Sequence, residues 1–344
     1  PGFIDCHTHP IFSNDRHLDY KLRSEGKTYE QISSQGGGIK SSINSVRKSS
    51  IDDLYNQCLP KINSFLKKGT TTIEAKSGYG LTLDDEIKSL EVIKKLNDNS
   101  ELDIIPTFMG AHDFPPEYAN DKDAYVHLIC NEMIPEVANR NLALFCDVFC
   151  EEGYFSIDQT KKIFESALKF DLKLKIHADE FVDTGAASLA VEMGAISADH
   201  LMITGDRGKA DLANSNTIAT LLPGTTFFLG KKTYASGRDL IDKGCEVSIA
   251  TDFNAGSCTL QSMPDIMFLS MLYCGLDLNE AFKAATYNGA KAIGKDMKKG
   301  LIKEGYDADI LFWDISSIDE IPYWFGGSNS RISRIMKAGK VLAI

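Results

Sequence analysis

Apolar and polar positions alternate along this chain in a repeating pattern. Short, strongly apolar runs lead into polar or glycine-loosened loops, and amphipathic stretches follow. Phe3-Ile4 opens the series, and further runs cover 70–75, 102–109, 142–150, 172–176, 195–200, 217–222 and 246–250. Between them, 52–68, 84–96, 125–137, 156–170, 185–193 and 206–215 read as helices, with a further one near 238–243. The first carries Leu54, Cys58, Ile62, Phe65 and Leu66 on one side and stops at Gly69. Runs without polar alternation are the mark of parallel strands buried on both faces. Eight strand–helix units predict an α/β fold, a (β/α)8 TIM-like barrel over residues 1–300. A doubly wound sheet is the rival, but it concentrates chemistry at one switch point. Here candidate residues follow nearly every strand.

From Leu301 the pattern changes. Ile310-Leu311-Phe312-Trp313, Arg334-Ile335-Met336-Lys337 and a Gly339-Lys340 turn before Val341-Leu342 read as short antiparallel strands. Residues 301–344 are expected to be the C-terminal strands of a small β-sandwich domain whose other strands would precede Pro1.

Composition narrows the functions. The net charge of −11 disfavours nucleic acid and anionic membranes, which need a basic face. No apolar run is long enough to span a bilayer. The eight cysteines are scattered with no Cys-x-x-Cys, Cys146 and Cys150 being the closest pair, and read as reduced thiols of a cytoplasmic protein. Gly36-Gly37-Gly38 lacks the Gly-Lys-Ser/Thr order of a phosphate loop, so a mobile loop beside a site is the expectation.

The chemistry sits at the strand ends. His7 and His9, at i and i+2, point to one face of an extended chain. His112, His177, His200 and Asp252 end later strands in the same way. Each histidine alone is more often structural. Six such residues at the catalytic end of one barrel suggest a site for a divalent ion, zinc or iron, which would lower the pKa of a water.

This arrangement resembles the amidohydrolase superfamily, which carries His-x-His on strand 1, His on strands 5 and 6 and Asp on strand 8. Two-metal members bridge their ions with a lysine on strand 4, and the run 143–150 has none, so the resemblance implies one metal ion. Its ligands would be His7, His9, His177 and Asp252, with His200 left for catalysis. Within the superfamily, the runs 1–9, 74–80, 175–180, 197–201 and 251–257 are similar to the imidazolonepropionase family. Ala255 and Trp324 depart from that pattern, which usually has Pro and often His there.

The resemblance implies hydrolysis of the lactam C–N bond of 4-imidazolone-5-propanoate to N-formimino-L-glutamate, and a homodimer. It gives Arg16 to the substrate propionate, which a guanidinium fork suits. Tyr29 and Tyr79 would wall the ring, and His112 would contact the ring or the oxyanion. Glu180 would hold the ring nitrogens and move protons, Asp252 would act as base, and His200 would stabilise the oxyanion. Asn254, Gly256 and Ser257 would offer donors to the other end of the substrate. Period-two counting places Lys175, Lys173 and Asp5 inside the barrel, so Lys175 is expected to pair with Asp5 or Glu74. Two other readings compete. One is a mononuclear deaminase of a cyclic amidine such as guanine or cytosine, and the other is a metal-free scaffold on the same barrel.

Overall fold

The computed structural model describes residues 1–27, 31–32 and 36–342. Eight parallel strands run in sequence order around a nearly closed barrel: β1 (Phe3–Asp5), β2 (Thr70–Lys76), β3 (Asp103–Ala111), β4 (Phe145–Cys150), β5 (Lys173–Ala178), β6 (Ser197–His200), β7 (Ile218–Leu221) and β8 (Val247–Ile249). The predicted helices are present, and their starts have a local cause. Ser50 with Asp53 and Ser156 with Gln159 form capping boxes at the helices Ile51–Lys67 and Ile157–Lys169.

Two apolar layers follow from the strand pleat. Ile73, Ala75, Cys146, Val148, Leu174 and Ile176 face outward to the helices. Ile4, Cys6, Ile105, Phe145, Ile218 and Ala250 face inward and pack on Ala290, Ala292 and Ile293. That last segment belongs to the helix Tyr287–Ala292 and its C-cap and packs into the barrel interior. Gly289 lets it approach closely, because a Cβ there would lie 3.0 Å from the Ile4 carbonyl oxygen.

The seam between β1 and β8 is closed by the residues that follow each strand. Asp252 N–H donates to the His7 carbonyl at 3.1 Å, and His9 N–H donates to the Phe253 carbonyl at 2.8 Å.

Three features differ from the sequence expectation. The helix His17–Ser24 lies in a polar stretch to which the sequence pattern assigns no element. The helix Met263–Tyr273 went unread because it is buried on most sides and shows no single apolar stripe. Lys173 is exposed at the start of β5 rather than inside the barrel.

Beyond the barrel, β9 (Ile310–Trp313), β10 (Ile332–Lys337) and β11 (Lys340–Leu342) form an antiparallel sheet in the order β11-β10-β9. It is fastened near the start of the barrel strands. Gly2 N–H donates to the Asp309 carbonyl at 2.8 Å, and Phe3 meets Trp313 edge-on. Lys299 and Lys337 both bridge Asp103 and Asp309, with Lys337 Nζ 2.6 Å from Asp103 Oδ2 and 3.0 Å from Asp309 Oδ2.

Burial alone would push the Asp309 carboxyl up. The Ala338 N–H and the two ammoniums outweigh it and hold the group below its usual range. Its contribution to stability is therefore complete above pH ~4 and is lost as pH falls through the depressed value. An Asp309→Ala chain should lose about 3 kcal/mol in denaturant melts at neutral pH, the low end for a broken buried pair because Asp103 remains. The difference from the parent should shrink on acidification.

Candidate metal centre and active site

Strand ends β1, β5 and β8 bring four donor atoms together. His7 Nε2 and His9 Nε2 are 3.2 Å apart, and His9 Nε2 and His177 Nε2 are 3.3 Å apart. Asp252 Oδ1 lies 3.6 Å from His7 Nε2 and 3.5 Å from His9 Nε2. Donors about 2.0–2.1 Å from one ion in tetrahedral array sit about 3.3–3.4 Å from one another.

The outer nitrogens of two of these rings are already committed. His7 Nδ1 is 2.6 Å from Asp199 Oδ2, and His177 Nδ1 is 3.0 Å from Asp147 Oδ1. A protonated Nδ1 donating to each carboxylate leaves Nε2 as a bare lone pair. Burial first, then Lys76 for His7 and the His112 and His177 rings for His9, holds both well below the ordinary imidazole range, so both are neutral. Lone pairs converging in a dry interior repel unless a cation lies among them. The donor set thus fits one divalent ion.

Two groups of three close donors among the described residues draw on these side chains, His7 with His9 and Asp252, and His7 with His177 and His200. The third group is acidic, Asp103, Asp307 and Asp309, and is filled by the ammoniums of Lys299 and Lys337.

The cradle opens into a cavity of about 600 Å3 lined by Arg16, Tyr79, His112, Glu180, His200, Asn254, Gly256 and Ser257 as well as His9, His177 and Asp252. Every site residue expected from sequence is therefore at this cavity or its cradle, apart from Tyr29, which lies outside the described residues.

Asp252 Oδ2 accepts a 2.5 Å hydrogen bond from Thr225 Oγ1, and burial raises the carboxyl above its usual range. His112 donates Nδ1–H to the Gly78 carbonyl at 2.9 Å and is pushed down to about 4 by burial and by His177. It stacks on His9 with centroids 5.0 Å apart. Tyr79 is held in place from beneath, because the buried Glu86 carboxylate accepts the N–H groups of Gly78, Gly80 and Leu81. His200 Nδ1 stands 3.6 Å from Glu180 Oε2.

The loop after β8 is organised internally. Asn254 Oδ1 accepts from the N–H groups of Gly256 and Ser257, and Asn254 Nδ2 donates to the Asp252 carbonyl. These amides therefore shape the cavity wall before any ligand arrives. Arg16 donates from Nε to Asp19 Oδ2 at 2.7 Å, and its guanidinium packs against Gly256.

Four groups escaped the sequence reading: Lys76, Asp147, Asp199 and Thr225. The count applied to β5 would have found three of them, since Lys76, Asp147 and Asp199 alternate with outward-facing neighbours on β2, β4 and β6. Lys175 is buried, but its carboxylate partner is Asp199 at 3.5 Å, not Asp5 or Glu74. It also donates to Ser197 Oγ at 2.7 Å. Asp5 instead accepts from Thr251 N–H and Thr251 Oγ1, and Glu74 is bound to Lys76. The β1 ladder ends at Asp5, so the period-two count from His9 back to it runs outside the strand.

Comparison with known proteins places this architecture. The sequence matches the amidohydrolase family over residues 1–342. It is 44% identical over 342 residues to an imidazolonepropionase of Geobacillus kaustophilus, covering 99% of this chain and 80% of that one. The chain belongs to the imidazolonepropionase family. A second member, from Alkaliphilus metalliredigens, is 41% identical over 99% of this chain and 81% of its own length. Among solved structures, guanine deaminase of E. coli superposes with a TM-score of 0.75 at 16% identity, covering 100% of this chain and 83% of that one. A zinc-bound adenosine deaminase from Xanthomonas campestris gives 0.70 at 15% identity, covering 99% and 79%. At such identities these two speak for the fold alone. The amidohydrolase family, with this donor set, implies a divalent metal.

Calorimetric titration of metal-stripped protein should find one equivalent of divalent ion per chain. The His177→Ala variant should bind it more weakly by more than the roughly 10–100-fold that loss of an orienting partner costs. A Gly256→Ala change drives a methyl into the Arg16 guanidinium and should raise KM for an anionic substrate while leaving metal content intact.

Proposed function

We infer that this enzyme hydrolyses the lactam C–N bond of 4-imidazolone-5-propanoate, yielding N-formimino-L-glutamate in histidine degradation. The observation that carries this reading is the meeting, in one cavity, of the four-donor cradle with the Arg16 guanidinium, in a chain 44% identical to a family member over 99% of its length. Arg16 gives Nε to Asp19 and keeps its fork for the substrate propionate. Tyr79 and His112 wall the ring, and Asn254, Gly256 and Ser257 fix the floor on which Arg16 rests. We assign Tyr29 to the same wall from the family resemblance.

His7, His9, His177 and Asp252 would hold one divalent ion, zinc or iron, since both accept three imidazoles and a carboxylate. When bound, that ion supplies Lewis acidity toward the ring carbonyl and lowers the pKa of a water. The chain's own groups do the proton work. Asp252 takes a proton from the attacking water as oxygen bonds to the carbonyl carbon. His200 donates to the carbonyl oxygen as it becomes an oxyanion. Collapse of the tetrahedral centre breaks the C–N bond, the ring nitrogen receives a proton, and a carboxylate remains. Glu180, 3.6 Å from His200, orients the ring nitrogens and relays that proton.

We further propose a homodimer in the cytoplasm. Eight unpaired cysteines suit a reducing compartment, and no helix among the described residues is long and apolar enough to cross a membrane.

The deciding assay follows loss of freshly made imidazolone propanoate by absorbance, with guanine and cytosine as controls. Turnover of either control instead would favour the deaminase reading. Arg16→Ala should raise KM about 30–150-fold, the equivalent of about 2–3 kcal/mol for a charged hydrogen-bonded pair. Glu180→Gln should lower kcat by about 10²–10⁴ with metal content unchanged.

A further inference from the structure

The interior beneath the cradle is charged, and one ammonium there touches two of the carboxylates that orient its residues. Lys76, at the end of β2, is fully buried. Its Nζ lies 2.6 Å from Glu74 Oε1 and 2.7 Å from Asp147 Oδ2. The other oxygen of Asp147 accepts from His177 Nδ1 at 3.0 Å. The other oxygen of Glu74 faces Thr8 N–H at 3.4 Å, and Thr8 Oγ1 donates to the Glu74 carbonyl at 2.6 Å. Lys76 N–H itself donates to the Thr8 carbonyl at 3.0 Å. Thr8 stands between His7 and His9.

We propose that Lys76 is a positioning residue that locks the His7–His9 pair on one side of the cradle to His177 on the other, so that the three Nε2 atoms converge. The proposal rests on the metal-binding reading of the cradle and goes beyond the ligands themselves. A lysine side chain without Nζ would leave two buried carboxylates facing each other across the space it filled. They would move apart, Asp147 would release the His177 ring, and Glu74 would release the backbone of Thr8. Lys175 repeats the theme on the other flank, through Asp199 to His7, but its ammonium also binds Ser197 and two backbone carbonyls and so touches only one ligand-orienting group.

The test uses metal-stripped full-length protein and Co2+ as the probe. Affinity is read by competition with a chromogenic chelator, and cradle geometry by the visible spectrum of the Co2+-loaded protein. Lys76→Met should bind Co2+ about 10–100-fold more weakly, the cost of losing an orienting partner, and should show a shifted spectrum at full loading. Should this variant fail to fold by circular dichroism, Glu74→Gln/Lys76→Met removes one charge of each sign and gives the same two readings. Leu54→Ala, a truncation in the outer core, supplies the control for general destabilisation and should keep affinity within about twofold, because no ligand-orienting contact is touched. Parent affinity and spectrum in either folded Lys76 variant would overturn the proposal, as would an equal loss in the Leu54 control. Parent protein that binds Co2+ yet ignores imidazolone propanoate would instead overturn the functional reading alone.

Discussion

Three imidazole lone pairs aimed at one point are the constraint from which this molecule follows. Lone pairs buried this closely repel, and only a cation at the focus turns the repulsion into binding. Two of the three outer nitrogens are tied down, by Asp147 beneath His177 and Asp199 beneath His7. Those acids in turn need counter-charges in a place without water, and Lys76 and Lys175 provide them. Burial would drive the Asp147 proton on, yet Lys76 and His177 together keep the carboxyl well below its usual range. The barrel interior is therefore a stack of alternating charge below the ligands rather than a uniformly greasy plug.

Closure of the barrel and construction of the site share the same backbone. The chain after β1 and the chain after β8 pair through His7, His9, Asp252 and Phe253, which include three of the four candidate ligands. Nearby, Asp179, His200, Leu201 and Asp252 adopt left-handed backbone angles, φ +51°, +79°, +54° and +52°. Such conformations cost of order 1–3 kcal/mol each for residues with a Cβ and persist where surrounding structure imposes them. Here they turn side chains off the strand alternation. His200 would face outward with Ala198 if β6 continued regularly, and the left-handed turn lets it line the cavity.

Much of this was legible in the sequence for a simple reason. Buried parallel strands leave uninterrupted apolar runs, and the histidines and Asp252 stand where those runs stop. The eight strands and six candidate site residues follow from that coincidence, while the choice of four candidate ligands among them rests on the superfamily resemblance. Lys76, Asp147 and Asp199 stayed hidden because charge inside an apolar run reads as noise unless the inward face is counted on every strand. Lys175 was placed correctly inside, but its partner was not Asp5 or Glu74, since neighbours across a barrel depend on register and tilt that no single strand encodes. The helix Met263–Tyr273 was invisible because burial on most sides erases periodicity.

The buried ammoniums also bear on how the chain reaches its native state. Lys76 on β2 finds its partners on β2 and β4, while Lys175 on β5 finds Asp199 on β6. Each ammonium is thus matched within its own half of the barrel, and the contacts that join the halves are those of Asp147 with His177 and of Asp199 with His7. Neutralising the buried ammoniums therefore needs only neighbouring strands, whereas aiming the histidine rings needs the two halves to meet.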